Sequence, residues 1–245
     1  MTALLETRAI SKRFGGLEAV SGVDLRLERG EVRALIGPNG AGKTTLVSLI
    51  SGRLSPTSGR VLFAGRDITS LRAWDRVGLG IVYTFQVTSI YRGISVYDNV
   101  ALAAQRRHLR ALSDWIALDR QAVARDVEAA LVTVGLWALR DQPARALAYG
   151  HQRLLEVAMA LALGPELLVL DEPTQGLAAA EIDGLCGLVR DVARAATVLV
   201  IEHNMAVVLA LAGRVTVMDQ GRIIAEGTPR EIEAHAEVQK AYLGR

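Results

Sequence analysis

Between Val23 and Glu28 apolar and polar side chains alternate, with Val23, Leu25 and Leu27 in one set and Asp24, Arg26 and Glu28 in the other. A period of two predicts a strand with one dry face and one wet face, as in an antiparallel or edge position. Three other segments differ. Val32 to Ile36 is mostly apolar, while Leu167 to Leu170 and Val198 to Ile201 are unbroken runs of Val, Leu and Ile. Such runs suit parallel strands covered on both faces. Each leads to a helix-like stretch, Lys43 to Ile50, Ala179 to Arg194 and Met205 to Leu211 in turn. Strands alternating with helices predict an α/β core.

From Gln86 to Pro165 the period changes. Val123, Val127, Ala130, Leu131 and Val134 recur at helical spacing and strand signals are few, which predicts an inserted helical lobe. Near the end, Val215 and Val217, then Gln220-Gly221, then Ile223 and Ile224 predict a hairpin. Thr228, Pro229 and Glu231 have the order of N-cap, first helical residue and capping-box partner, so a last helix should begin there. The expected fold is a single α/β domain. A mixed, largely parallel sheet and an antiparallel β-subdomain take residues 1–86 and 166–245, and a helical subdomain takes 87–165.

Composition narrows the function classes. The 245 residues are 51% hydrophobic and 22% charged, enough to bury a sizeable core. Lys and Arg number 28 against 26 Asp and Glu, a balance of +2 that provides no global field for nucleic acid or anionic lipid. The single cysteine, Cys186, excludes an internal disulfide framework and fits a reducing compartment. Glu6 and Arg8 interrupt the start, so no export signal is expected, and the apolar runs fall short of a membrane span. If a membrane is involved, a partner chain must cross it.

The chemistry begins after the first buried strand. Gly37-Pro38-Asn39-Gly40-Ala41-Gly42-Lys43-Thr44 matches GxxxxGK(S/T) between a predicted strand and a predicted helix, as a phosphate loop requires. Glycines let the backbone curl so that N–H groups through Thr45 point at phosphate oxygens, and the helix start adds its positive dipole end. Lys43 can reach the β and γ phosphates, and the Thr44 hydroxyl can ligate Mg²⁺. These features predict a phosphate-loop nucleoside triphosphatase that binds MgATP.

Asp171 and Glu172 end a buried strand, where open α/β sheets place ligands. Asp171 is the candidate Mg²⁺ holder and Glu172 the candidate general base for water attacking the γ-phosphate. The competing reading is that both cap a helix after Pro173. His203 ends another buried run and is a candidate γ-phosphate contact. Gln86 ends the run Ile81 to Phe85, where its amide oxygen can meet Mg²⁺ or the water.

With these residues placed, the chain resembles a nucleotide-binding subunit of the ABC transporter family over nearly its whole length. Phe14 in Lys12-Arg13-Phe14-Gly15-Gly16 resembles the aromatic that stacks on adenine, Gln86 the Q-loop glutamine, Asp171 and Glu172 the Walker B pair, and His203 the switch histidine. Leu147-Ala148-Tyr149-Gly150-His151-Gln152 resembles the signature usually written LSGGQ. The resemblance implies ATP hydrolysis in a head-to-tail dimer of cassettes, identical or not. Each ATP lies between the phosphate loop of one cassette and the signature of the other, and the helix from Gln152 to Leu163 aims its N-terminus at the γ-phosphate. Two positions depart from the pattern. Ala148 stands where a Ser hydroxyl is usual and Ala178 where the D-loop usually has Asp, which implies slower or differently coupled turnover.

Local details resemble the ATPases of branched-chain amino-acid importers: the run from Ile36 through Thr45, Thr84-Phe85-Gln86, Leu147-Ala148-Tyr149-Gly150, Ile201-Glu202-His203-Asn204-Met205, and the ending from Gly227-Thr228-Pro229 to Ala241-Tyr242-Leu243-Gly244. That branch implies transmembrane permease subunits as partners, indirect cooperation with a periplasmic solute-binding protein, no nucleic acid, and a peripheral place on the cytoplasmic face of the inner membrane. Related cassettes serve other amino acids, urea or amides. The alternatives are an ATPase of lipid or lipopolysaccharide export, or a soluble non-transport ABC protein. The basic cluster Arg106, Arg107, His108 and Arg110 is expected to be a solvated helix face.

Overall fold

The structure is a computed structural model that describes residues 3–84, 89–109 and 118–243. It opens with β1 (Leu5–Phe14), β2 (Leu17–Leu27) and β3 (Val32–Ile36), then α1 (Lys43–Ile50), β4 (Ser58–Phe63), β5 (Arg66–Asp67), α2 (Ala73–Gly78) and β6 (Ile81–Tyr83). Three long helices follow, α3 (Val96–His108), α4 (Arg120–Thr133) and α5 (Tyr149–Ala162). The chain then alternates through β7 (Leu167–Asp171), α6 (Ala179–Val192), β8 (Thr197–Ile201) and α7 (Met205–Leu211), and ends with β9 (Arg214–Asp219), β10 (Arg222–Gly227), α8 (Pro229–Glu233) and α9 (Ala236–Leu243).

Two sheets divide the strands. One has the order β2-β1-β4-β5 and is antiparallel; the other has the order β10-β9-β3-β8-β7-β6. In the second sheet β9, β3, β8, β7 and β6 run parallel, and only β10 is antiparallel to its neighbour. The alternating segment lies at the edge of the first sheet, with Val23, Leu25 and Leu27 buried and Asp24 and Arg26 exposed. All five residues of β7 and of β8 are buried, which agrees with their unbroken apolar composition.

Pleating sends alternate residues of the parallel strands to opposite faces. Leu35, Leu167, Val169, Leu199 and Ile201 join Leu46, Val47, Leu49 and Ile50 of α1 and the apolar face of the antiparallel sheet in one core. Leu168, Leu170, Val198 and Val200 pack with α3, α4, α5 and α6 in a second. The five apolar residues read from the sequence between 123 and 134 are buried in it. α3 and α4 start where side chains satisfy their free amides: Ser95 accepts from the Asp98 amide, and Asp119 from those of Gln121 and Ala122. The expected hairpin is present, turning through Gln220 and Gly221 at φ 45° and 78°, the two left-handed residues of a tight turn. Thr228 and Glu231 form the expected capping box of α8.

Helix ends fall one or two residues short of expectation at α5, which stops at Ala162, and at α6, which stops at Val192, and one helix start differs more. α5 begins at Tyr149 rather than Gln152, so His151 and Gln152 lie inside its first turn. Its N-cap, Ala148, has no side-chain acceptor, so no capping residue marked the true start.

The end of α1 is held by a residue far along the chain. Arg76, buried on α2, donates to the Leu49 and Ile50 carbonyls at 2.7 and 2.8 Å and to those of Thr69 and Leu71. Burial pushes its guanidinium down to about 10. Gly59 shows how closely β4 approaches β1: its φ is +84°, and an added Cβ would lie 2.3 Å from the Ala9 carbonyl oxygen. Gly59→Ala is therefore expected to destabilise the fold by about 2 kcal/mol or more. Calorimetry should register a fall in Tm of roughly 4–8 °C; an unchanged Tm would show that β1 yields easily.

Candidate functional site

The parallel strands β3, β7 and β8 deliver three chain segments to one edge of the sheet. β3 runs into the loop 37–42, which bends through Gly40 and Gly42 at φ 81° and 98° before α1 begins at Lys43. The loop is pressed against its surroundings. A Cβ on Gly37 would stand 2.1 Å from the Met218 carbonyl oxygen, and one on Gly42 would stand 2.4 Å from that of Ala19. Gly40 meets no such wall, and both it and Asn39 are exposed. Ala41 is buried, accepts from the Gly221 amide at 3.0 Å and donates to the Pro38 carbonyl at 3.2 Å.

Lys43 is buried, and its Nζ donates to the Gly37 and Pro38 carbonyl oxygens at 2.7 and 2.9 Å. Burial pushes the ammonium pKa down, and the carboxylates of Glu172 and Asp171 pull it back up. The next two residues differ in exposure: Thr44 is exposed and Thr45 is half-buried. A glycine-lined bend at a helix start with a desolvated ammonium inside it fits a polyphosphate, whose charge would complete the pairing of Lys43.

Asp171 ends β7, is 2% exposed, and accepts from the Tyr83 hydroxyl. Burial pushes its carboxyl pKa up, while the Tyr83 hydrogen bond draws it down. Burial and the neighbouring Asp171 hold the Tyr83 phenol well above its ordinary value, and the Arg53 guanidinium lies over its ring at 4.6 Å. Glu172 leaves the strand at φ 46°, a left-handed conformation that costs a non-glycine residue about 1–2 kcal/mol. Its amide donates to the Ile201 carbonyl at 3.0 Å. No helix starts at Pro173, because turns occupy 173–176 and α6 begins at Ala179. The capping reading of Asp171 and Glu172 therefore fails.

His203 follows β8, is exposed, and places Nδ1 3.9 Å from Glu172 Oε1. Lys43, Asp171, Glu172 and His203 thus come together from three strand ends. Gln86 lies outside the described residues. Phe14 ends β1 on the antiparallel sheet, 46% exposed, with the Lys12 ammonium 5.2 Å from its ring centre. An exposure of that size rules out a core phenylalanine.

The signature residues pack against the segment that follows β7. Gly150 faces Glu181, whose Oε1 would lie 2.1 Å from a Cβ there, and the Tyr149 ring covers Gly176, where a Cβ would meet it at 2.9 Å. The Ala178 amide donates to Glu181 Oε2 at 2.8 Å, a capping contact that needs no side chain at Ala178. Gln152 Nε2 donates to the Leu147 carbonyl at 2.9 Å, and His151 is exposed.

Sequence reading did not pick out two buried charged residues beside this site. Glu202 accepts from the Thr174 hydroxyl and amide at 2.6 and 3.2 Å, and from the amides of His203 and Asn204 at 3.2 and 3.4 Å. Arg153, on α5, pairs with Glu156 at 2.6 Å and donates to backbone carbonyls at the end of β7 and just beyond it. The only sequence signal for either was a charge within an apolar stretch. The basic cluster on α3 is a paired surface: Arg107 and His108 both contact Asp126, at 3.1 and 2.7 Å, and Arg110 lies outside the described residues. Among the described residues no helix is long and apolar enough to cross a membrane.

Comparison with known proteins agrees with this geometry. The profile of the ABC transporter family matches residues 20–175, and that of the branched-chain amino acid ATP-binding cassette transporter matches 222–245. The chain is 37% identical, over 98% of both lengths, to the high-affinity branched-chain amino acid transport ATP-binding protein BraF of Pseudomonas aeruginosa. It is equally similar over the same shares to the corresponding protein LivG of Escherichia coli K12. An ATP-binding cassette of an ABC transporter, solved in its ADP conformation, superposes with a TM-score of 0.88 at 30% identity and full coverage of both chains. This chain belongs to the ABC transporter family, as one of the ATP-binding cassettes that hydrolyse ATP.

Proposed function

We propose that this cassette powers an ABC importer for branched-chain or related amino acids, or small amides, through permease subunits that span the inner membrane. The observation that carries the reading is the 37% identity over 98% of the chain to BraF and LivG. The match of residues 222–245 to a branched-chain amino acid cassette profile supports it. In this reading a solute-binding protein in the periplasm delivers the substrate to the permease, and the cassette works from the cytoplasmic face.

The chain's own residues divide the work of hydrolysis. Backbone N–H groups of the loop from Gly37 to Thr45, in which Pro38 has none, wrap the triphosphate, Lys43 neutralises its β and γ oxygens, and Phe14 stacks on the adenine. Thr44, Asp171 and Gln86 would hold Mg²⁺, which adds positive charge at the β- and γ-phosphate oxygens when bound. Glu172 orients the attacking water and takes its proton. The water oxygen bonds to the γ-phosphorus as the bond to the β-phosphate bridging oxygen breaks, leaving ADP and inorganic phosphate. His203, 3.9 Å from Glu172, donates to the γ-phosphate oxygens.

A second cassette completes each site. Residues Ala148, Tyr149, Gly150, His151 and Gln152 of one copy close on the nucleotide held by the other, with the α5 N-terminus aimed at the γ-phosphate. Ala148 supplies no hydroxyl, and loss of such a bond to a charged group costs about 1.5–3 kcal/mol. Turnover is therefore slower than with Ser but not abolished, since the Gly150 amide and the helix dipole remain.

Glu172→Gln is expected to bind ATP with unchanged affinity while turnover falls by about 100-fold or more, read by phosphate release beside nucleotide titration. Unchanged turnover would remove Glu172 as the base. Native complexes isolated through this chain should contain two kinds of protein beside it, membrane subunits and a solute-binding protein that retains branched-chain or related amino acids. Membrane subunits recovered without any binding protein would favour lipid export instead.

A further inference from the structure

The turn that carries Glu172 is strained at its first residue. Glu172 sits in a left-handed conformation, φ 46°, immediately after β7; the turn keeps one internal hydrogen bond, from the Gln175 amide to the Glu172 carbonyl at 3.1 Å, and contacts from outside it add to the hold on the strained residue. Three successive carbonyls of this turn converge on one side chain. Arg153 Nη2 donates to the Asp171 oxygen at 2.7 Å and the Glu172 oxygen at 3.2 Å, while Nε donates to the Pro173 oxygen at 3.4 Å. Nη1 pairs with Glu156 at 2.6 Å, and the two side chains are only 2% and 6% exposed.

A planar guanidinium with donors along both edges can serve a carboxylate and a run of carbonyls at once, and an ammonium cannot reproduce that pattern. Packing alone gives no reason for the pair, because a buried ion pair is often no more stabilising than apolar side chains of similar volume. The aim of the donors at consecutive carbonyls is the feature that needs a function. Arg153 also follows directly on the signature segment 148–152, in the second turn of α5, so the fork moves with the helix that meets the neighbouring cassette's nucleotide.

We propose that Arg153, oriented by Glu156, is a positioning residue for Glu172: it fixes the backbone of the catalytic turn from the signature helix. The proposal rests on Glu172 acting as the base. Removing the fork leaves the phosphate loop untouched, so ATP affinity is kept. The Glu172 carboxylate, no longer held to one direction, loses its alignment with the water. Misplacement of a catalytic group by about 1 Å typically costs on the order of 100-fold in rate.

The test uses the cassette in complex with its membrane subunits. Arg153→Met with Glu156→Leu replaces the ion pair by apolar groups of similar volume and keeps the core filled. Arg153→Lys keeps the charge opposite Glu156 but lacks the planar fork. Thermal midpoint, ATP affinity, KM and kcat are measured for both, with Glu172→Gln as the reference for loss of the base. The expected result is a folded protein with ATP affinity and KM within about twofold of the unmodified complex and kcat lowered about tenfold or more. Turnover within twofold of the unmodified complex in either folded variant, while Glu172→Gln is inactive, would overturn the role of Arg153 alone. Turnover that survives in Glu172→Gln as well would overturn the assignment of the base beneath it.

Discussion

A buried ammonium sets the terms for everything around it. Lys43 is taken out of water at the start of α1, and burial alone would favour its neutral form. Two carboxylates at the end of β7 oppose that tendency, and the loop carbonyls of Gly37 and Pro38 accept hydrogen bonds from it. The sheet order makes this possible: β3 and β7 are both neighbours of β8, so their carboxyl ends deliver a cation and its counter-charges to one rim. A loop able to bend so tightly under the Met218 and Ala19 carbonyls has to be glycine at Gly37 and Gly42.

The second constraint is the conformation of the acidic turn. Glu172 departs from extended backbone directly after five buried strand residues, and the turn is clamped from two sides. Arg153 reaches it from α5, and Glu202 ties Thr174, two residues beyond Glu172, to the amides of His203 and Asn204. Removing Glu202 would leave the Thr174 hydroxyl and amide without this acceptor, a destabilising loss in so enclosed a place. The turn after β7, the segment 203–204 and α5 are consequently linked through buried side chains.

Local signals in the sequence carried much of this arrangement. The glycine-rich bend announced itself by spacing, β7 and β8 by unbroken Val, Leu and Ile, the hairpin by Gln220-Gly221, and α8 by Thr228 and Glu231. The strand-end positions of Lys43, Asp171, Glu172 and His203 were legible because parallel sheets gather their carboxyl ends. What was not legible has a common physical cause. The true start of α5 lacked a capping side chain at Ala148, and Arg153, Arg76 and Glu202 each reach a partner far along the chain, Asp171, Leu49 and Thr174, which lie 18, 27 and 28 residues away. A charge inside an apolar stretch reports that a partner exists without saying where. The link between Tyr83 and Asp171, two strands in register, was hidden for the same reason.

The central claim is that the cradle around Lys43 grips a nucleotide's triphosphate by charge and by amide hydrogen bonds. The most direct measurement is the ATP affinity of Lys43→Ala beside that of the unmodified chain, with AMP as a control that lacks the β and γ phosphates. The account predicts that the substitution weakens ATP binding about 10-fold or more, as loss of a hydrogen-bonded charge pairing worth about 1.5–3 kcal/mol implies, while leaving AMP binding nearly unchanged. Equal ATP affinity in the folded variant would contradict it.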